Sequence, residues 1–248
     1  MKRLFGIAIV TGLWIGFAAV VVLAQGPPNP TQSDATYNTA GGSYALESIP
    51  EPGSVNSGFN TAFGFATLKN VSSGYGNTAA GYEALNVNNG SNNTAVGAYA
   101  LSSNVSGTNN TAIGDSALLD NRSSNNTSDG SSALAYNGGN DNTARGYQAM
   151  TYEDGSYNTA DGDSALYGSG YPINAWYNTA SGYFSLNANS TGWYDTAYGE
   201  RALGHNTSGG HNTATGGAAL YSNGSGSDNT ADGTKALYNS TGSSNLGL

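Results

Sequence analysis

The groups with ligating chemistry are few. His205 and His211, the only histidines, stand six residues apart around Gly209-Gly210, and Asp161 with Asp163 and Asp228 with Asp232 are candidate acidic pairs. Two imidazoles suit a transition-metal site only with a third ligand, and none is near, so both read as solvated turn residues. The aspartates could hold calcium in turns, but the glycine-aspartate nonapeptide of calcium-binding rolls is absent, and solubility is the simpler role. None of the 248 residues is cysteine, which removes disulfides, thiolate metal sites and a cysteine nucleophile. No Ser-His-Asp or paired-carboxylate arrangement recurs. Seven Lys plus Arg against 16 Asp plus Glu cannot form the basic face that nucleic acid needs. The expectation is a non-enzymatic protein with no cofactor, no metal and no nucleic-acid partner.

Aromatic residues offer the remaining chemistry. The stretch Gly168-Ser169-Gly170-Tyr171-Pro172-Ile173-Asn174-Ala175-Trp176-Tyr177 ends in two aromatics, and Trp193-Tyr194 follow 17 residues later. Aromatic loops on a rigid scaffold bind ligands and stack on sugars, which makes Tyr171, Trp176, Tyr177, Trp193 and Tyr194 the candidate binding residues. The competing reading packs both indoles on the flank of the scaffold, beneath the inserted residues.

That scaffold is a repeat. N-T-A-x-G-x-x-A-L begins at Asn38, Asn60, Asn77, Asn93, Asn110, Asn126, Asn142, Asn158, Asn178, Asp195, Asn212 and Asn229. Most copies are 16 or 17 residues apart, the mark of a solenoid, with longer gaps of 22 after Asn38 and 20 after Asn158. Departures are mild: Thr67 and Ser185 at the second Ala, Met150 at the Leu, Ser128 at the first Ala. N-T-A-x-G alternates as a strand does, with Asn, Ala and Gly on one face and Thr and the variable residue on the other. The variable slot accepts Ile113, Arg145 and Asp161 alike, so it faces solvent.

The inward asparagines Asn77, Asn93, Asn110, Asn142, Asn158, Asn178, Asn212 and Asn229 are therefore expected to stack as a ladder. The threonines Thr78, Thr94, Thr111, Thr143, Thr159, Thr179, Thr213 and Thr230 should form an outward row. Gly can take the positive φ needed to leave the strand sharply, and linkers such as 102–109 are turn formers. In G-x-x-A-L both Ala and Leu are held apolar, which fits either a second strand or one helical turn. The strand is the adopted reading. The fold class is all-β: a parallel β-roll, or β-solenoid, of about twelve coils over 38–248. At ~4.8 Å per coil it forms a rod near ~58 Å long. One Ala and one Leu per coil make a thin core, so a homo-oligomer, a trimer above all, is expected to bury a further apolar row.

The N-terminus carries export features. Lys2-Arg3 precede an uncharged run from Leu4 to Ala24, ending Val22-Leu23-Ala24. Residues 1–24 read as a signal peptide cleaved after Ala24, or as an uncleaved hydrophobic helical anchor, since the run is long enough to span a bilayer. Residues 25–37 are a Pro/Gly-rich spacer. Both readings place the body outside the cytoplasm, secreted or at the cell surface. Ile49-Pro50-Glu51-Pro52-Gly53 reads as an N-terminal cap or loop. Triplets such as Asn70-Val71-Ser72 and Asn104-Val105-Ser106 match the glycosylation pattern.

The N-x-A-x-G unit, as in Asn93-Thr94-Ala95-Val96-Gly97, resembles the head repeats of trimeric autotransporter adhesins and related phage-type tail-fibre repeats. The resemblance covers about 38–248 and implies a left-handed parallel β-roll, trimeric association, and contact with host surfaces, matrix protein or glycan. The period is two or three residues longer than in many such heads, and no heptad stalk, membrane barrel or self-cleaving chaperone domain follows within the chain. The unit also looks like the N-x-V-x-G repeat of grass ice-recrystallisation inhibitors, which implies ice binding as an alternative. The Thr row suits ice, but Phe63, Arg145 and Tyr198 in the next column would break a flat lattice. A purely structural fibre or spacer is the third reading.

Overall fold

The computed structural model describes residues 37–48, 58–168 and 174–248. The export segment, the spacer before Tyr37, the Ile49–Gly53 insertion and Tyr171 lie outside these residues. Within them the chain is an all-β parallel solenoid with no helix. The twelve motif-bearing strands, from Thr39–Gly41 to Thr230–Asp232, lie side by side in sequence order, so eleven turns of the coil separate them. Leu246–Gly247 adds a thirteenth strand. Register is strict: Thr78 pairs with Thr94, Ala79 with Ala95 and Ala80 with Val96, and the same pairing holds along the sheet. The two long gaps keep it, with Thr39 on Thr61 and Thr159 on Thr179. The ladder therefore stays in phase across both gaps.

Each strand alternates as its sequence requires. Ala79, Ala95, Ala112 and Ala144 are buried, while the flanking Thr and variable residues reach solvent. The core continues around the coil through the second Ala and the Leu, for example Ala100 with Leu101 and Ala117 with Leu118. Burying a leucine stabilises by roughly 1.5–3 kcal/mol. Polar residues in core slots find backbone partners: Ser128 Oγ donates to the Ala133 carbonyl at 2.8 Å, Thr67 Oγ1 to Gly81 at 2.8 Å and Ser185 Oγ to Gly182 at 3.0 Å.

G-x-x-A-L is neither the expected strand nor a helical turn. Its third and fifth residues both take left-handed backbone, as in Ser116 (φ 56°) and Leu118 (φ 50°). The residue before each ladder asparagine does the same, as in Asn109 (φ 58°). Reversing handedness at alternate positions turns the corner while both apolar side chains point inward. It also aims the amides at neighbouring coils: Ser116 N–H donates to Ala98 O at 2.8 Å and Leu118 N–H to Ala133 O at 3.0 Å. A left-handed L-residue costs roughly 1–2 kcal/mol, and these inter-coil bonds offset it. Valine, isoleucine and threonine, the worst residues for this conformation, occupy none of the left-handed positions. The motif glycine precedes the corner at φ between 121° and 150°, packed so that a Cβ at Gly146 would lie 2.6 Å from the Gly162 carbonyl oxygen.

Among the described residues a second sheet follows the Leu in one half of the rod only. Its six two-residue strands run from Asn70–Val71 to Tyr152–Glu153. After the insertion this side closes instead into tight turns, with Asn189 N–H donating to Leu186 O, Asn206 to Leu203 and Asn223 to Leu220 at 3.1–3.2 Å.

Candidate functional site: amide columns and an exposed aromatic ladder

The predicted asparagine ladder is buried and continuous. Each side-chain Oδ1 accepts the backbone N–H of the next ladder residue: Asn93 N–H on Asn77, Asn110 on Asn93, Asn126 on Asn110, Asn142 on Asn126 and Asn158 on Asn142, all at 2.9 Å. Asn178, Asn212 and Asn229 continue it. At most ladder positions the side-chain Nδ2 crosses the coil to a turn carbonyl, as from Asn93 to Gly107 O at 2.9 Å and from Asn212 to Gly226 O at 3.0 Å, whereas Asn126 Nδ2 is buried with no hydrogen-bond partner.

A second amide column was hidden in the linkers that read as turn formers. Asn88, Asn104, Asn121, Asn137, Asn189, Asn206 and Asn223 are buried, each three residues after its Leu. Asn121 Nδ2 donates to Asn104 Oδ1 at 2.9 Å and to Ser123 O at 2.8 Å. This column accounts for the irregular period. The carbonyl it bonds lies two residues on in 16-residue coils (Asn88 to Gly90) and three on in 17-residue coils (Asn104 to Gly107, Asn206 to Gly209). It also seals the Asn104 glycosylation triplet, whose amide nitrogen is held inside the roll.

Asp195 replaces asparagine in the first column. Its Oδ1 accepts Asn212 N–H at 2.9 Å and Asn212 Nδ2 at 3.0 Å, and its Oδ2 accepts Asn206 Nδ2 at 2.9 Å. Burial pushes this carboxyl up to about 7 against those three bonds, which favour the anion.

The outward threonines Thr78, Thr94, Thr111, Thr143, Thr159, Thr179, Thr213 and Thr230 form one straight column, extended by Thr39, Thr61, Thr127 and Thr196. The adjoining variable column changes character along the rod. Phe63, Val96 and Ile113 expose apolar surface, whereas Asp129, Arg145 and Asp161 follow, with Arg145 Nη1 on Asp161 Oδ2 at 3.1 Å.

Of the candidate aromatics, Trp176, Tyr177, Trp193 and Tyr194 come together on the surface. Trp176 and Trp193 bridge in parallel register, one coil apart, and are 38% and 50% exposed. The Trp176 indole N–H donates to Asn174 Oδ1. Tyr177 stacks on Tyr194 at 4.8 Å with planes 4° apart. Two residues outside the predicted set extend this stack: Tyr157 lies 4.9 Å from Tyr177, and His211 lies 5.3 Å from Tyr194. The signal for both was their phase, immediately before the ladder asparagine. Trp193 does not join the stack; its plane crosses Tyr194 at 55° and His211 at 69°.

The two histidines belong to different aromatic columns, His205 packing on Tyr221 at 4.4 Å. Asp163 accepts from Ser164 Oγ at 2.6 Å. Among the described residues no three His, Cys, Asp or Glu side chains gather as metal ligands, and no helix is long and apolar enough to cross a membrane. No family model matches the chain, and no curated protein or solved structure is significantly similar to it.

Proposed function

We propose that the protein is an exported, non-enzymatic β-roll that serves as an adhesin head or surface-fibre segment, assembles as a homo-oligomer (a trimer above all), and meets host, matrix or glycan surfaces with its outward columns. The supporting observation is the division between inside and outside. Alanine, leucine and two amide columns fill the interior, while the exterior presents rows of side chains in one-coil register, including unshielded aromatics. The apolar stripe Phe63, Val96 and Ile113 is the surface that association would bury. Export rests on the sequence pattern of residues 1–24.

Two measurements on the exported chain test this. Light scattering after size exclusion should give a multiple of the monomer mass, and the immobilised protein should retain host cells, matrix protein or glycan above a blank surface. A monomer that retains none of them would remove the adhesin reading. The unbroken Thr39–Thr230 column favours a second reading, ice contact. Inhibition of ice recrystallisation would support it, and normal ice growth would remove it.

A further inference from the structure

Ring orientation gives the aromatic surface a specific chemistry. Tyr157, Tyr177 and Tyr194 stack with nearly parallel ring planes, 2–4° apart at 4.8–4.9 Å, so they shield one another's faces and offer edges to solvent. Trp193 lies across this stack. Its pyrrole edge passes so close to Gly210 of the next coil that a Cβ there would meet Cδ1 and Nε1 at 2.9 Å. Gly210 therefore gives the indole a backbone floor, with half of the side chain left open. Ser156 occupies the same column before Trp176, so small residues flank the indole pair at both ends. From Ser156-Tyr157 through Trp176-Tyr177 and Trp193-Tyr194 to Gly210-His211, these two columns contain no Lys, Arg, Asp or Glu.

An open indole beside the edges of a tyrosine stack is an amphipathic strip. It pairs apolar plates with polar groups, and it supplies no counter-charge for an ionic ligand. A pyranose has the matching surface, with C–H groups on its face and hydroxyls at its rim. In an extended β-linked chain one sugar advances by about 5 Å, close to the ~4.8 Å rise of one coil. Resting on the surface-binding reading above, we infer that Trp176 and Trp193, with Tyr157, Tyr177, Tyr194 and His211 alongside, form a site for a linear, uncharged β-linked glycan lying along the rod. Sugar faces stack on the indoles, while tyrosine edges and His211 meet the hydroxyls.

The test titrates the full chain with cellohexaose, following tryptophan emission and heat of binding. Maltohexaose, whose α-links coil the chain, is the control ligand. Cellohexaose should shift the emission and bind at least tenfold more tightly than maltohexaose. Trp193→Ala should weaken binding at least tenfold with an unchanged urea unfolding midpoint, Trp193→Phe should recover part of the loss, and Tyr82→Ala, in a separate aromatic column, should bind normally. Absence of binding to cellohexaose, equal binding of maltohexaose, or full binding by Trp193→Ala would each overturn the site. Host-cell or matrix retention by a chain that fails to bind cellohexaose would leave the adhesin reading standing while this site falls.

Discussion

Substituting Asp195 by asparagine restores the amide that the rest of the buried column carries. The neighbouring coil supplies the template for the repaired network. There Asn212 Nδ2 reaches Gly226 O at 3.0 Å, while Asn223 Nδ2 bonds Asn206 Oδ1 and Gly226 O. In the variant the new amide should reach Gly209 O, and Asn206 should turn from the lost carboxylate toward Asn189. The carboxyl sits at about 7 in the fold against an ordinary 3.8, so the folded protein holds a proton that the unfolded chain releases. Stability from this group is therefore full below pH 4 and is lost as pH rises through 7. Three pKa units correspond to about 4 kcal/mol in all, of which about 3 kcal/mol falls between pH 5 and pH 8. Urea unfolding of both proteins across that range should give wild-type stability that declines relative to Asp195→Asn, with the variant more stable by about 4 kcal/mol at pH 8. Because a solenoid opens coil by coil, the amide protons of Asn206, Asn212 and their neighbours should exchange faster at pH 8 than the variant's, after correction for intrinsic rates. A difference between the two proteins that does not change with pH would refute the reasoning.

The left-handed Leu slot predicts that Leu118→Ile, of equal volume, costs about 2–3 kcal/mol by urea unfolding, whereas Leu118→Met, the residue found at Met150, costs less than about 1.5 kcal/mol. Asn110→Ala removes the acceptor of the buried Asn126 N–H and should destabilise by about 1–3 kcal/mol. Asn110→Asp keeps that acceptor and should instead impose a pH dependence of the same sign as that of Asp195. Gly146→Ala combines φ +121° with a Cβ 2.6 Å from Gly162 O, and should lower stability by about 3 kcal/mol or yield no folded protein, judged by circular dichroism.

The coil and its register were legible because identical residues repeat in phase, and a parallel stack places like on like. The linker amides were not, since asparagine favours both an exposed turn and a buried ladder, and type alone cannot separate them. Their offset could: Asn88, Asn104, Asn121 and Asn137 each stand three residues past the Leu. The corner was misread as a strand for want of a negative observation. Across twelve copies the Leu slot holds only Leu or Met and never Ile or Val, which a buried strand would favour. Periodicity also brought Trp176 over Trp193, but it carries no information about rotation about the side-chain torsions. That rotation decides whether a ring joins a stack, as Tyr177 does, or crosses it, as Trp193 does.

The interior is nearly invariant along the rod, whereas the exterior divides near the insertion. Up to Glu153 two sheets flank the core, and the outward column begins apolar with Phe63, Val96 and Ile113. The four-ring stack begins at Tyr157, and beyond the insertion the second side tightens into three-residue turns at Asn189, Asn206 and Asn223. The core slots tolerate these changes because each coil meets only its two neighbours, through backbone bonds that do not depend on the outward residue. The variable slot can therefore pass from Ile113 to Asp129 to Arg145 with no change in the Thr-on-Thr and core-on-core pairing beneath it. A rod built this way separates the residues that hold it together from those that face solvent. A difference in the surface chemistry of its two halves can then arise from substitutions at outward positions alone.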